Sequence, residues 1–348
     1  MSTYGTASPH LAVRLDWLAL HREDILEPDL AIVDPHHHLW DRPGNRYFAF
    51  DLLDDIASGH DIRATVAVEA GAMYRAAGDE AMRPVGEVEF VNGQAAISAS
   101  GAYGKCRVAA GIVGTADLRL GDGVRPVLEN LVRAGGDRIR GIRFISVWHP
   151  DPAAHASLAR PPAHVLQDPQ ARKGFAHLAP LGLSFDAWMY HTQLNEAIDL
   201  AQTYPGTTLI LNHVGGAIGI GPYAGKRDEV FESWRTAMRE LARLPNVYVK
   251  LGGMGMRMFG FDFASQPRPP TSEALAGAWR PYVETCIEAF GARRCMFESN
   301  FPVDKGSCSY HVLWNAFKRI ASGASAEDKR WLFSATACEA YRLGEIAG

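Results

Sequence analysis

The chain has 348 residues, and 35 lysines and arginines stand against 39 aspartates and glutamates, which leaves a formal charge of −4. Apolar residues make up 47% and charged residues 21%, which is ordinary for a folded domain and excludes a disordered chain, a collagen and a coiled coil. The near-neutral balance offers no attraction for nucleic acid or anionic membranes, and no apolar run is long enough to span a bilayer.

The amino terminus and the cysteines predict a cytoplasmic protein. Residues 1–9 are polar and lack the basic-then-apolar pattern of a secretory signal. The five cysteines are odd in number and scattered without a CxxC pair. This spacing predicts reduced thiols rather than a disulfide framework or a thiolate zinc site.

Short apolar or β-branched runs recur along the chain and predict eight strands. In chain order they are Ala31–His36, Arg63–Glu69, Arg107–Val113, Gly141–Ser146, Leu183–Met189, Thr207–Asn212, Val247–Gly252 and Cys295–Asn300. Helical periods lie between them, as where Leu194, Ala197, Ile198 and Ala201 fall on one helix face. Eight alternating units predict an α/β fold, a single-domain (β/α)₈ TIM barrel. An open doubly wound sheet would want a glycine-rich loop after the first strand, and this chain has histidines there.

The predicted barrel covers residues 31–348, and residues 1–30 form an N-terminal extension that would cover the base of the barrel or a neighbouring molecule. Two long loops at the carboxyl-terminal face are predicted at His149–Gln170 and Met254–Thr271. Long loops in compact domains are often lids or binding loops. Surface packing or an oligomer contact explains them equally well.

The most informative motif is Asp34-Pro35-His36-His37-His38. Because side chains alternate along a strand, Asp34, His36 and His38 are expected on one face, with His37 turned outwards to the helices. Two imidazoles two residues apart can reach one divalent ion, and their nitrogens suit zinc and its neighbours. His36 and His38 are therefore predicted to bind a metal or a substrate.

This motif, opening an eight-unit pattern, resembles the amidohydrolase superfamily, and within it the amidohydrolase-2 branch of lactonases and some decarboxylases. The similarity runs from about Leu30 to Leu343. The supporting motifs are Gly141-Ile142-Arg143, His191 after the fifth strand, Asn212-His213-Val214-Gly215-Gly216 and Ser299-Asn300-Phe301-Pro302. The resemblance implies one divalent metal, expected to be zinc, with His191 as a further ligand and His213 as a ligand or transition-state stabiliser. A helix-cap role for His191 and a core role for His213 stay open.

Several strand residues are candidates for holding the substrate. Arg143 could clamp a substrate carboxylate or lactone oxygen, or pair with an acid inside the barrel. Glu69 could be that acid, a ligand through water or a substrate acceptor, and Lys250 is a similar inward candidate. Trp40 and Trp188 are predicted to wall the pocket, although aromatic residues there are as often ordinary packing.

The eighth strand departs from the resemblance, which implies an aspartate as metal ligand and general base where this chain has Asn300. An amide is a far weaker ligand and takes no proton at neutral pH. Glu298 faces the same way one layer deeper, and Asp304 could fold back over the mouth. Glu298 is preferred because strand alternation fixes its direction, and Asn300 could instead hydrogen-bond the substrate.

These features predict a hydrolase that opens a lactone or related cyclic ester of a sugar acid or an aromatic-catabolism intermediate. A water activated by the metal or a carboxylate would attack the carbonyl. Arg143 and His213 would stabilise the oxyanion, and Glu298 or Asp304 would move the proton. The alternatives are a non-oxidative decarboxylase and an inactive ligand-binding barrel. The expected partner is a small molecule, with no nucleic acid and no membrane, and a homo-oligomer is compatible with the resemblance.

Overall fold

A computed structural model describes residues 10–155, 157 and 159–344. Its main sheet has eight parallel strands that follow one another in chain order. They are β1 (Ile32–His37), β2 (Ile62–Val68), β3 (Arg107–Gly114), β4 (Ile139–Arg143), β5 (Ser184–Ala187), β6 (Leu209–Leu211), β7 (Val247–Leu251) and β8 (Cys295–Phe297). The predicted (β/α)₈ barrel is confirmed, and each strand overlaps one of the predicted runs.

The barrel closes just beyond the end of β8. His37 forms a parallel bridge with Phe301. The Asn300 amide donates to the His36 carbonyl over 2.8 Å, and the His38 amide donates to the Phe301 carbonyl over 2.7 Å. Because these bonds join β1 to the segment after β8, they bring the histidine motif next to the Ser299–Pro302 motif.

Helices surround the sheet and follow the strands in turn. Within the described residues they are α1 (Leu15–Leu18), α2 (Ala49–Ile56), α3 (Val85–Ala99), α4 (Arg125–Gly135), α5 (Pro169–Phe175), α6 (Leu194–Thr203), α7 (Arg227–Ala242), α8 (Ser272–Phe290), α9 (Tyr310–Ile320), α10 (Ala326–Arg330) and α11 (Thr336–Ala340). Apolar stripes bury their inner faces, as with Val230, Trp234, Met238 and Leu241 of α7. The layers are those of a barrel with its ring of helices.

The carboxyl-terminal segment fills the amino end of the barrel. Tyr341, just after α11, is fully buried in a cluster that includes Val33 of β1, Val66 of β2 and Ile210 of β6. Its hydroxyl lies 2.9 Å from the Asp186 carboxylate of β5. The barrel is therefore blocked at this end, and the opposite, carboxyl end is left for a site.

One expectation about β1 is wrong. A register shift lies between Asp34 and His37 in the pairing of β1 with β2, and it interrupts the strict alternation of side chains. Asp34 consequently contacts α9, where the Tyr310 hydroxyl donates to its carboxylate over 3.0 Å. Asp34 does not share the inner face with His36 and His38. His37 contacts Thr65 of β2, as its outward direction predicts.

The chain between β1 and α2 forms a two-stranded hairpin that the pattern of the sequence did not predict. Trp40–Arg42 pairs with Asn45–Tyr47 around Pro43 and Gly44, a dipeptide that is typical of turns.

No helix in the part of the chain that the structure describes is long and apolar enough to cross a bilayer. The five cysteines form no disulfide, as their spacing predicts.

Candidate functional site

A cavity opens at the carboxyl end of the barrel, where the strands give way to loops. Its wall includes His38, Trp40, Arg143, Trp188, His213 and Asn300, which come from or follow five different strands. The two long loops predicted after the fourth and seventh strands contribute Ser157 and Met256 to the wall. Active sites of (β/α)₈ barrels lie at this face, so the cavity is the candidate site.

Two imidazoles at the carboxyl end of β1, those of His36 and His38, face each other at the foot of the cavity. The Nε2 atoms of His36 and His38 are 3.3 Å apart. His38 donates from Nδ1 to the Val68 carbonyl over 2.9 Å, which leaves its Nε2 unprotonated. Burial holds the pKa of both rings well below the usual value, helped by the charge of Lys250 at His36 and that of Arg143 at His38. Both rings are therefore neutral near pH 7.

Glu298 lies between two imidazoles and is fully buried. Its Oε1 accepts from His213 twice, from Nδ1 over 2.7 Å and from the backbone amide over 3.1 Å. Its Oε2 is 2.7 Å from His36 Nδ1 but accepts no hydrogen bond in this arrangement. Because Nδ1 of His213 carries the hydrogen, Nε2 of that ring is unprotonated. Burial also lowers the pKa of His213.

Two glycines after β7 make room for this carboxylate–imidazole pair. A Cβ atom at Gly252 would collide with the carbonyl oxygen and side chain of Glu298, and one at Gly253 would collide with the ring of His213. Gly253 also has a φ of +68°, a value that glycine adopts without strain. His213 and Asn300 have φ of 52° and 54°. Such strain in residues other than glycine is concentrated at functional sites.

Arg143 on β4 is held by Glu69, which follows β2. The Arg143 Nε donates to Glu69 Oε1 over 2.7 Å, and Nη2 donates to the Glu69 carbonyl over 2.6 Å. The remaining nitrogen, Nη1, lies 3.4 Å from His36 Nε2. The internal ion pair considered from the sequence is therefore present. It leaves one edge of the guanidinium towards the imidazoles and the cavity that Arg143 lines.

Lys250 lies beneath the imidazoles and is fully buried. Its Nζ donates to Asp186 Oδ2 over 2.8 Å and to the Pro35 carbonyl over 2.9 Å, and it is 3.2 Å from His36 Nδ1. Asp186 also binds Asn212 and the Tyr341 hydroxyl. A buried charge needs such partners. The contacts place Lys250 under the site rather than in the cavity wall, and its substrate-binding role stays a prediction.

Asn300 separates Asp304 from the cavity. Asn300 lines the cavity, and its Nδ2 donates to Asp304 Oδ1 over 2.9 Å. Asp304 Oδ2 accepts from the Gly255 amide over 2.9 Å. With Nδ2 committed in this way, Asn300 turns its amide oxygen to the remaining side, where it can accept a hydrogen bond from a hydroxyl. Burial raises the pKa of Asp304 to about 8, so it is mainly protonated at neutral pH.

Replacing Asp304 by asparagine should change how stability depends on pH. The folded chain holds the Asp304 proton up to a pKa of about 8, whereas an unfolded aspartate loses it near about 3.9. Because the folded chain binds this proton more tightly, the proton adds to the free energy of unfolding below about pH 4. That contribution is lost as the pH rises to about 8. We expect the wild type to lose its advantage over Asp304→Asn across that window, by a few kcal/mol at most. Urea unfolding of both proteins at pH 4.5, 6 and 8 measures this, and a constant difference would contradict it.

Two features of the site suit a metal ion: the imidazole ligands of His36 and His38, and the buried Oε2 atom of Glu298 that has no hydrogen-bond donor. His36 and His38 present Nε2 atoms 3.3 Å apart, about the edge of a tetrahedron with zinc–nitrogen bonds of ~2.0–2.1 Å. A hydrogen on His36 Nδ1 would supply the donor that buried Glu298 Oε2 lacks and would free Nε2 as a ligand. A second grouping, His36, His213 and Glu298, offers ligand atoms within 4.8 Å of one another. The site therefore fits a divalent ion.

Some predicted residues lie apart from this group. His191 accepts from the Ile218 amide at Nδ1 over 3.2 Å, and its ring packs on Tyr223. It is not in the His36–His213–Glu298 group, so its role as a ligand stays a prediction. Sequence reasoning missed Asp186, although an acid inside the apolar run Leu183–Met189 was a signal. It also missed the arginine of the hairpin, Arg42, which lines the cavity.

The fold and the site together define a (β/α)₈ barrel with a histidine–carboxylate centre at its carboxyl rim. Residues 33–343 match the sequence model of the family described as amidohydrolase. The chain therefore belongs to the amidohydrolase family, in its amidohydrolase-2 branch, as its motifs predict. Membership of this family indicates an enzyme of the hydrolase type.

Individual relatives extend the comparison over nearly the whole chain. Uncharacterized protein y4mH of Sinorhizobium fredii is 37% identical over 90% of this chain and 99% of its own length. An L-fucono-1,5-lactonase of Burkholderia multivorans is 24% identical over 90% of this chain and 97% of its own. A crystal structure of a B. multivorans amidohydrolase with bound zinc has a TM-score of 0.68 at 24% identity, covering 90% of this chain and all of the other. That structural likeness shows the shared fold.

Proposed function

We propose that this chain is a lactonase, which opens a lactone or related cyclic ester of a sugar acid or an aromatic-catabolism intermediate with water. The observation that carries the proposal is the contact between Glu298 and His213, with Oε1 2.7 Å from Nδ1, at the foot of a cavity that His213 and Arg143 line. A carboxylate that orients an imidazole beside a cationic clamp is suited to hydrolysis of an ester carbonyl. The similarity to an L-fucono-1,5-lactonase supports the same reaction class.

Arg143 would bind the carbonyl of the lactone. Glu69 holds two nitrogens of the guanidinium, so the group is fixed before the substrate arrives. Negative charge develops on the carbonyl oxygen as water adds to the carbon, and a cation fixed beside that oxygen stabilises the charge. Trp188 and Trp40 line the cavity and would exclude water from the bound substrate.

His213 would move the proton. Its Nδ1–H is held by Glu298, so unprotonated Nε2 takes a proton from the water that attacks the carbonyl carbon. Glu298 stabilises the imidazolium that forms. When the ring C–O bond breaks, Nε2 returns the proton to the leaving oxygen, and the product is a hydroxy acid. Glu298 acts through His213 here and is a positioning residue.

His36 and His38 would hold the divalent ion, for which we propose zinc. Such an ion, when bound, lowers the pKa of a coordinated water to about 7 and so supplies hydroxide at neutral pH. The chain prepares both ligands, since the Val68 carbonyl fixes the tautomer of His38 and Glu298 faces Nδ1 of His36. Orienting partners of this kind are typical of metal-bound histidines.

A product assay tests the reaction class directly. Purified protein is mixed with a panel of aldonolactones, aldarolactones and unsaturated lactones in weak buffer with a pH indicator. We expect acid release well above the spontaneous rate for at least one lactone. In parallel, aromatic acids are assayed for carbon dioxide. Decarboxylation without lactone opening would establish the lyase alternative, and inactivity on both panels would favour a ligand-binding barrel.

A further inference from the structure

The N-terminal extension forms part of the cavity wall, although it precedes the family match that begins at residue 33. His10 lines the cavity, so the described part of the extension, residues 10–30, reaches the carboxyl rim. The sequence alone suggested that the extension covers the base of the barrel or a neighbouring molecule. Trp17 fixes this course, since its Nε1 donates to the Gln266 carbonyl over 3.0 Å. Leu11 packs against Gly306, and a Cβ atom at Gly306 would collide with Leu11.

The extension meets the hairpin in a short stack of rings. The His10 ring lies on Trp40 with centroids 5.8 Å apart and planes 18° apart. Trp40 in turn lies on His38 at 5.5 Å and 14°. Arg42 covers Trp40, with its Cζ 3.8 Å from the ring centroid. The stack therefore joins the extension and the hairpin to His38 at the foot of the cavity.

Arg42 is also held in place by the segment that follows β2. Its Nη2 donates to the Ala70 carbonyl over 2.7 Å, and both Arg42 and Ala70 line the cavity. A guanidinium stacked on an aromatic ring and tied at one nitrogen loses little further freedom when it binds an anion. Arg42 is thus prepared for a ligand in the same way as Arg143.

The charged side chains in the described part of the cavity wall are cations. Among the described residues that line the cavity, none is acidic and two are arginines, while burial keeps the pKa of the three histidines below the usual value. The nearby acids Glu69, Glu298 and Asp304 are all buried behind wall residues. A concave surface with low-dielectric walls and this charge attracts anions. A neutral lactone needs one cation at its carbonyl, which Arg143 supplies, whereas the second arginine in the same wall suits a substrate that also carries an anionic group.

We propose that His10, Trp40 and Arg42 form an anion subsite, so that the substrate is a lactone carrying a carboxylate in addition to its ring ester. The inference rests on the proposed lactonase function. Arg42 binds the carboxylate through charge-assisted hydrogen bonds, and the Trp40 ring beneath it keeps the guanidinium in place. Burial lowers the pKa of His10 to about 4, so at neutral pH the ring is uncharged.

Matched lactones test the subsite. Aldarolactones and aldonolactones of the same stereochemistry differ only in a terminal carboxylate against a hydroxymethyl group. We expect kcat/KM to be at least tenfold higher for the acidic member, and Arg42→Gln to reduce that ratio about 10- to 100-fold. His10→Ala should lower it less. Arg46→Gln is the matched control, since Arg46 lies in the same hairpin and is exposed, and it should keep the ratio.

A binding measurement separates this inference from the proposed function. Calorimetric titration of the ring-opened products, aldarate against aldonate, needs no turnover. Tighter binding of aldarate that is lost in Arg42→Gln supports the subsite, whether or not any lactone is hydrolysed. Absence of lactone hydrolysis together with this preference would overturn only the lactonase proposal. Equal binding of the two acids, or an unchanged preference in Arg42→Gln, overturns the subsite, whether or not lactones are opened.

Discussion

Replacing Glu298 by glutamine is expected to lower kcat/KM about 10³- to 10⁴-fold, as when the carboxylate of other carboxylate–imidazole pairs is replaced by an amide. The variant should fold, because glutamine has the same shape and its oxygen can still accept a hydrogen bond from His213. The expected loss is in kcat rather than KM, since Glu298 lies behind the wall and would not touch the substrate.

The size of the effect follows from two ring tautomers. The carboxylate accepts from His213 at Oε1 and faces His36 Nδ1 with Oε2. A glutamine amide would turn an NH₂ group towards one of these rings. If it faces His36, Nδ1 of that ring becomes the acceptor and Nε2 takes the hydrogen, which removes the metal ligand. If it faces His213, Nε2 ceases to be a base.

Glu196→Gln is the matched control for this variant. Glu196 is also buried and also contacts a histidine, with Oε1 3.0 Å from His164 Nδ1, but it lies on α6 and is not part of the cavity wall. Steady-state kinetics on the best lactone, with circular dichroism of each variant, make the comparison. Near-wild-type kcat in Glu298→Gln would remove Glu298 and the oriented His213 from the mechanism.

The sequence predicts the barrel well because strand and helix periods repeat eight times and each unit supports the same topology. It also predicts the direction of Glu298. Met296 lies in the inner cluster, and Glu298, two residues later, contacts the inward-facing rings of His36 and His213, as alternation along a strand predicts. The hydrophobic pattern of the sequence predicts the ends of strands less accurately than their positions. Predicted Cys295–Asn300 is a strand only to Phe297, because the chain there turns into the rim.

Contacts between distant segments could not be predicted in this way. The register shift that turns Asp34 towards Tyr310 depends on how β1 pairs with β2, which a single strand does not encode. His10 carries no local signal at all, since its position depends on contacts with residues far along the chain, such as that of Trp17 with Gln266. Lys250 was predicted to point inwards, but its partner Asp186 lies 64 residues away.

The position of the carboxylate explains how the site differs from the pattern implied by its resemblance. That pattern has an acid where this chain has Asn300, at the cavity wall. Here the carboxylate is two residues earlier and approaches the imidazoles from behind, and the glycine pair 252–253 provides its space. An acid in this place orients ring nitrogens and leaves the wall to neutral and cationic groups. The arrangement is compatible with the anionic substrate inferred above.

Replacing His36 or His38 by alanine is expected to remove the bound metal and to lower kcat/KM at least about 100-fold. Elemental analysis of the wild type should find about one zinc per chain. Each ring supplies one of two Nε2 atoms that lie 3.3 Å apart, so the loss of either leaves too few ligands. Chelation of the wild type should have the same effect on the rate, and added zinc should restore it. Metal content provides a readout that does not depend on activity.

His60→Gln and His191→Ala complete this experiment. His60 is buried, with its Nε2 3.0 Å from the His311 carbonyl, so His60→Gln should keep both the metal and the rate. Loss of zinc in His191→Ala would support the ligand role predicted for His191, and retention would restrict the ion to the β1 pair and its neighbours. Zinc retained in a His36→Ala/His38→Ala double variant would place the ion elsewhere. A metal-free wild type with full activity would assign activation of the water to the imidazole of His213, whose Nδ1–H is held by Glu298.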